Sequence, residues 1–131
     1  MDTAAATGHV RNGRGTLRPY VYGPPALLEF VTQTFGADLV ERSPDGGEVE
    51  LRVGDSMIAL ALGEDFPTDL VTRASIYVYV PDADTTYERA LAAGATPLAA
   101  PEDKPYQERL GTVRDGFGNI WFISTYHDGR P

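Results

Sequence analysis

The sequence predicts an α+β fold made of two copies of one βαβββ module, and three repeated features carry that prediction. Tyr20-Val21-Tyr22-Gly23-Pro24-Pro25-Ala26 returns as Tyr77-Val78-Tyr79-Val80-Pro81-Asp82-Ala83. Gly36-Ala37 returns as Gly94-Ala95, and Gly54-Asp55 is answered by Gly118-Asn119. Tyr-Val-Tyr alone is simply good strand composition. Three pairs in the same order, each at an equivalent junction, make a duplication of half a domain. Neither half alone can bury its sheet, so the two halves must share a core.

The elements follow in order. Residues 1–15 hold Ala, Thr, Gly, Asn and Arg without an apolar run and read as a flexible leader, followed by one domain over 16–131. Its first half spans 16–63. Leu17 to Tyr22 is a strand candidate in which Pro19 demands an early or edge position. Pro24-Pro25 opens a helix whose apolar face is Leu27, Leu28, Val31 and Phe35, with Gly36 as its stop. Residues 37–41 form a weak strand, and Ser43-Pro44-Asp45-Gly46-Gly47 is a turn. Glu48 to Val53 alternates, Val49, Leu51 and Val53 against Glu48, Glu50 and Arg52, and Ser56 to Leu62 follows the Gly54-Asp55 turn as another strand. Residues 64–73 lack periodicity and form a connection. The second half, 74–126, repeats the order: a strand over Ser75 to Val80, a helix from Pro81-Asp82 to Gly94, and a short strand over Thr96 to Ala99. A long loop over Pro101 to Glu108 leads to a strand about Thr112, a turn over Asp115 to Asn119, and a last strand over Ile120 to Thr125.

Composition narrows the function. At 131 residues with 42% hydrophobic and 23% charged residues, the chain suits a single globular domain. A net charge of −8 repels phosphate backbones, so nucleic acid is not the expected partner. No apolar run reaches the roughly 18 residues of a membrane span. Cysteine is absent, which removes disulfides, thiolate metal sites and cysteine nucleophiles and points to a cytoplasmic protein. The two histidines, His9 and His127, stand near the chain ends.

The closing stretch Gly111-Thr112-Val113-Arg114-Asp115-Gly116-Phe117-Gly118-Asn119-Ile120-Trp121, with Gly94-Ala95-Thr96 and Arg52-Val53-Gly54-Asp55-Ser56, resembles the vicinal oxygen chelate superfamily. That superfamily includes glyoxalase I, the extradiol dioxygenases and the fosfomycin and bleomycin resistance proteins. The closest likeness is to the glyoxalase-like and bleomycin-resistance-like members, and Gly116 departs from the usual proline. The resemblance covers about Thr16 to Tyr126. It implies that the duplicated modules form a curled mixed sheet, a cup with helices on its outer face and a ligand cavity inside. It also implies a homodimer with the pocket at the subunit junction.

Metal-dependent members of that superfamily hold a divalent ion with His and Glu from four strands. Counted from the repeated turns, the slots here are Arg18, Ile58, Ser75 and Phe122, which cannot hold one. No metal and no cofactor are therefore expected. The inner surface reads as Arg18, Tyr20, Tyr22, Ile58, Leu60, Ser75, Tyr77, Tyr79 and Phe122, with Tyr106 and Arg109 on the long loop over the mouth. These are the ligand-binding candidates, although the tyrosines could equally be strand formers that fill the cup. Rings and hydrocarbon with few charges suit a planar, largely apolar small molecule. The leading expectation is a metal-free binding protein that sequesters an antibiotic or secondary metabolite, a non-catalytic binder ahead of an enzyme, with the enzyme left open. The rival is a metal-independent lyase, isomerase or cyclase with Glu48 or Glu50 as base and Arg18 or a tyrosine stabilising an oxyanion. Alternation in a solvated strand explains the same glutamates without catalysis.

Overall fold

The computed structural model describes residues 8–127; residues 1–7 of the predicted leader and residues 128–131 lie outside the described residues. The first half comprises β1 (Tyr20–Gly23), α1 (Ala26–Phe35), β2 (Asp38–Arg42), β3 (Glu48–Val53) and β4 (Ser56–Leu62). The second comprises β5 (Ser75–Tyr79), α2 (Ala83–Ala92), β6 (Thr96–Lys104), β7 (Glu108–Arg114) and β8 (Ile120–Tyr126). Each half forms its own four-stranded sheet, in the order β1-β4-β3-β2 and β5-β8-β7-β6. The β1–β4 and β5–β8 pairs are parallel and the others antiparallel. The two halves thus have the same topology, as the duplication requires.

Local chemistry sets the helix ends. Gly36 takes φ 65°, and its N–H donates to the Thr32 carbonyl at 2.9 Å, closing α1 with a left-handed residue that a side chain would strain. Asp82 caps α2 by accepting from the Thr85 N–H at 3.1 Å. Both helices bury one face in a shared core. Leu27, Phe30 and Val31 of α1 and Ala83, Tyr87 and Ala90 of α2 meet Val21, Val49, Leu51, Ile58 and Leu60 of one sheet and Val113, Trp121 and Ile123 of the other. Each fully buried side chain of Leu or Phe size contributes about 1.5–3 kcal/mol, so this cluster is what joins the halves. The indole of Trp121 is the crossing point, with its ring centre 6.0 Å from Phe30 and 5.2 Å from Phe35 of α1.

Asp115, 3% exposed, fixes that indole. Its carboxylate accepts from the N–H groups of Phe117 and Asn119, from Asn119 Nδ2, and from Trp121 Nε1 at 2.8 Å. Asn119 in turn accepts from the Ala74 N–H through Oδ1, tying the turn before β8 to the entry of β5. Gly111 lets α2 approach β7: a Cβ there would stand 3.0 Å from both Tyr87 and Pro101.

Four expectations change. β1 starts at Tyr20 rather than Leu17, with Pro19 contributing only its carbonyl, to the Ala59 N–H. The long loop is absent: β6 runs on to Lys104 and turns within three residues into β7. Pro97 and Pro101 are accommodated because β6 is an edge strand with irregular register. The described part of the leader is docked, its Arg11 bonded to Glu41 of β2.

The fourth concerns Ile58 and Leu60. They were expected on the inner face but lie in the core at 5% and 0% exposure, opposite Leu51 and Val49. Tyr20 pairs with Ala59 where Tyr77 pairs with Phe122, so Ala59 is the equivalent of Phe122. A slip of one residue turns a strand side chain to the other face.

Candidate functional site

The faces turned away from the helices carry the polar and aromatic rows, and they differ between the halves. In the first, Tyr20 and Tyr22 stand edge to face at 5.3 Å, and Phe66 of the connection packs on Tyr22 at 5.0 Å. Tyr20 donates to Glu48 at 2.7 Å, and that bond, with some burial, pushes its hydroxyl up to about 12. Glu50, 8% exposed, lies between two guanidiniums: Arg14 Nη1 at 3.4 Å and Arg18 Nη1 at 3.3 Å. Arg14 Nη1 also donates to Glu41 at 3.0 Å, and Arg18 Nη2 donates to the Arg14 carbonyl at 3.0 Å. The bond from Arg11, reinforced by Arg14, holds Glu41 down at about 2. The segment before β1 is therefore strapped by arginines across the inner face of this sheet.

In the second half the rings are open. Tyr77 stacks on Phe122 at 5.7 Å and 15° and lies 5.4 Å from Tyr79, which is 63% exposed. Glu108 accepts from the hydroxyls of Tyr77, Tyr79 and Ser124. These bonds, the one from Tyr77 foremost, hold Glu108 below the usual carboxylate range, while burial and then Glu108 push Tyr77 up to about 12. Glu108, which falls at the end of the expected loop, begins β7 two residues before Leu110 on its inner row and anchors the tyrosine hydroxyls.

A cavity of about 670 Å³ opens between the halves. Its walls are the strapped segment (Asn12 to Gly15, Leu17, Pro19), the β3–β4 hairpin with Arg52, Asp55 and Met57, and both faces of β5 with Tyr77 and Tyr79; Phe35 and Trp121 line it from the core. The predicted site is thus divided. Tyr77 and Tyr79 line the cavity, and Ile58 reaches it only from the core side. Arg18, Tyr20, Tyr22, Glu48 and Glu50 belong to the strapped sheet, while Ser75 and Phe122 lie on the open one beside Tyr77. Arg109 faces the helix side, where Asp84 of α2 accepts from its Nε at 2.7 Å, so it is not part of the inner surface. Tyr106 is exposed at the β6–β7 turn, not on a lid.

The comparisons agree with this fold. The family model described as Glyoxalase/Bleomycin resistance protein/Dioxygenase superfamily matches residues 18–123. An uncharacterized protein of Mycobacterium bovis is 32% identical over 111 residues, covering 75% of this chain and 73% of that protein. A Mycobacterium tuberculosis relative is equally identical over the same length, and the match spans 65% of it. The chain belongs to this superfamily. Among solved structures of the same fold, TioX from Micromonospora sp. ML1 superimposes with a TM-score of 0.70 at 23% identity, covering 86% of this chain and 98% of that one. Lactoylglutathione lyase from Agrobacterium tumefaciens gives a TM-score of 0.63 at 19% identity, covering 85% and 92%.

The superfamily's metal site does not fit the residues at its place. With the register corrected, the four slots hold Arg18, Ala59, Ser75 and Phe122, and only the serine offers a neutral oxygen donor. Arg18 places a fixed positive charge where a cation would sit. Among the described residues no group of three His, Cys, Asp or Glu side chains is gathered to hold an ion.

Proposed function

We propose that the protein is a binding protein that sequesters a planar, largely apolar small molecule, such as an antibiotic or another secondary metabolite, without metal assistance and without altering it. The observation that carries this reading is the cavity between the halves. Its volume falls within the roughly 300–1,000 Å³ of small-molecule sites, and Phe35, Val53, Met57, Ile76, Val78 and Trp121 give it apolar walls. Tyr77 and Tyr79 add two rings on which a flat ligand can stack, worth about 0.5–1.5 kcal/mol for each ring beyond burial. The rival enzymatic reading loses support because neither candidate base faces this cavity. Glu48 is engaged by Tyr20, and Glu50 by Arg14 and Arg18.

The same reading makes the protein a cytoplasmic homodimer. Tyr20, Tyr77 and Tyr79 present a large exposed aromatic surface on the inner faces, which a second copy can cover. Among the described residues no helix is long and apolar enough to cross a membrane. Sedimentation at micromolar concentration should give twice the chain mass, and a monomer would remove the dimer from the proposal.

Trp121 is the single tryptophan and lines the cavity, so its fluorescence reports directly on occupancy. Titration with planar polycyclic drugs should quench it saturably, with the compound recovered unchanged. Chemical conversion of the compound, lost in Glu50→Gln, would replace the binder with an enzyme.

A further inference from the structure

We propose that the ligand is an aromatic anion, its ring on Tyr77 and Tyr79 and its carboxylate or other oxyanion held between Arg14 and Arg52. This rests on reading the cavity as the ligand site and adds the charge of the molecule it takes. The two arginines come from different walls. Arg14 belongs to the strapped segment and Arg52 to β3, and both line the cavity.

Arg14 is held in place rather than consumed. Glu41 and Glu50 both engage its Nη1, and its side chain keeps only 17% of its exposure. Among the described residues its Nε and Nη2 donate to no protein group, and neither is a sealed orphan atom. A guanidinium anchored at one nitrogen, on a residue that lines a cavity, keeps two donor nitrogens for an oxyanion.

Arg52 makes no ion pair and no side-chain hydrogen bond among the described residues. It does have acidic neighbours: Asp38 lies directly opposite on β2, and Asp55 is on the adjoining hairpin. Neither closes a bridge. Its inner-row neighbours Glu48 and Glu50 are already taken by Tyr20, Arg14 and Arg18. In a chain of net charge −8, the charged side chains lining the cavity are two arginines, Arg14 and Arg52, against one carboxylate, Asp55. Tyr77 and Tyr79 keep their hydroxyls on Glu108, and Tyr77 one face on Phe122, so they bring ring surface and not a second charge to the cavity.

The test uses the full chain and three probes of one ring size: 2-naphthoate, neutral 2-naphthylmethanol and cationic 2-naphthylmethylammonium, each measured by equilibrium dialysis. Naphthoate should bind about tenfold more tightly than the alcohol, as expected for charge-assisted hydrogen bonds, and the ammonium least. Added salt should shrink the difference. Arg52→Gln, on an exposed position, should bring the naphthoate-to-alcohol ratio close to one; Arg14→Gln should do the same. Equal binding of acid and alcohol to the wild-type protein, or a preference for the ammonium, overturns the anion assignment while leaving a binding cavity. Failure of all three probes overturns the cavity as the ligand site.

Discussion

The two inner faces descend from one module and now do opposite things with their tyrosines. Tyr20 and Tyr22 occupy the same register as Tyr77 and Tyr79, yet the first pair lies over Ala59 and Ala61 and the second over Phe122 and Ser124. Small residues leave a hollow in the first sheet. The chain fills it with Arg14, Arg18 and Phe66, and Glu50 becomes the counter-charge that those arginines require. Phe122 raises the floor of the second sheet beneath Tyr77, and Glu108 holds the hydroxyls of Tyr77, Tyr79 and Ser124. The first half is covered at Tyr22 and Glu50, while Tyr20 at its rim stays as exposed as Tyr77.

The sharpest break in that comparison is expected at the turn before the last strand, where the halves are least alike. The first half turns tightly through Gly54-Asp55, and the second through Asp115 to Asn119 about a buried carboxylate. Asp115→Ala leaves the Trp121 indole N–H and three further donors without a partner and should cost roughly 3 kcal/mol or more. Denaturant unfolding measures it, and a loss below 1 kcal/mol would mean that the turn is held by its backbone alone. Asp55→Ala, exposed, should fall within about 0.5 kcal/mol of wild type.

The carboxylates come next. Glu50→Ala strands two largely covered guanidiniums and should destabilise by about 2–3 kcal/mol. Glu108→Ala, on the open face, should cost less than about 1 kcal/mol because water replaces it. If the two losses were equal, the strap over the first sheet would carry no energy.

These expectations also show which parts of the structure could be read from the sequence. Topology was legible because Tyr-Val-Tyr, Gly-Ala and the Gly turns mark junctions, where backbone demands override tertiary context. Strand faces were legible where alternation was strict, as in Glu48 to Val53. They were not legible in Met57 to Leu62, where every residue is apolar and only pairing with β1 and β3 fixes the register. Length failed at β6, whose prolines and acidic residues imitate a loop but sit on an edge that needs few backbone donors. The docked leader was invisible for a different reason. Arginine and glycine read as solvated chain until Glu41 and Glu50 are found beneath them, and those partners lie 27 or more residues away. The cavity depends on that strap for one wall, so the candidate site was only partly visible: its rings and Arg52 could be named, Arg14 could not.

Ligand binding separates the halves by a smaller amount. Tyr79→Ala removes a ring that lines the cavity and should weaken a planar probe about fivefold. Tyr22→Ala, which acts on the far side beneath Phe66, should weaken it much less. Equal effects would place the ligand across both sheets, as in a closed cup.

The tyrosine titrations test the comparison at the level of single bonds. Tyr20 and Tyr77 are both pushed from the ordinary value of 10.0 to about 12, but for different leading reasons: the bond to Glu48 for Tyr20, burial for Tyr77 with Glu108 second. A hydroxyl whose pKa is raised on folding stabilises the native state fully below the unfolded value. That contribution declines as pH rises from about 10 and is lost above about 12. Phenolate absorbance should therefore show Tyr20 and Tyr77 titrating late, with Tyr79 also raised by its bond to Glu108, the first two assigned by Tyr20→Phe and Tyr77→Phe. Glu48→Gln should return most of the Tyr20 shift, whereas Glu108→Gln should return only part of the Tyr77 shift. Burial, the leading cause at Tyr77, survives the second substitution, whereas at Tyr20 burial comes second to the carboxylate. Equal recovery in both variants would show that the two tyrosine–glutamate pairs remain as alike as their common origin made them.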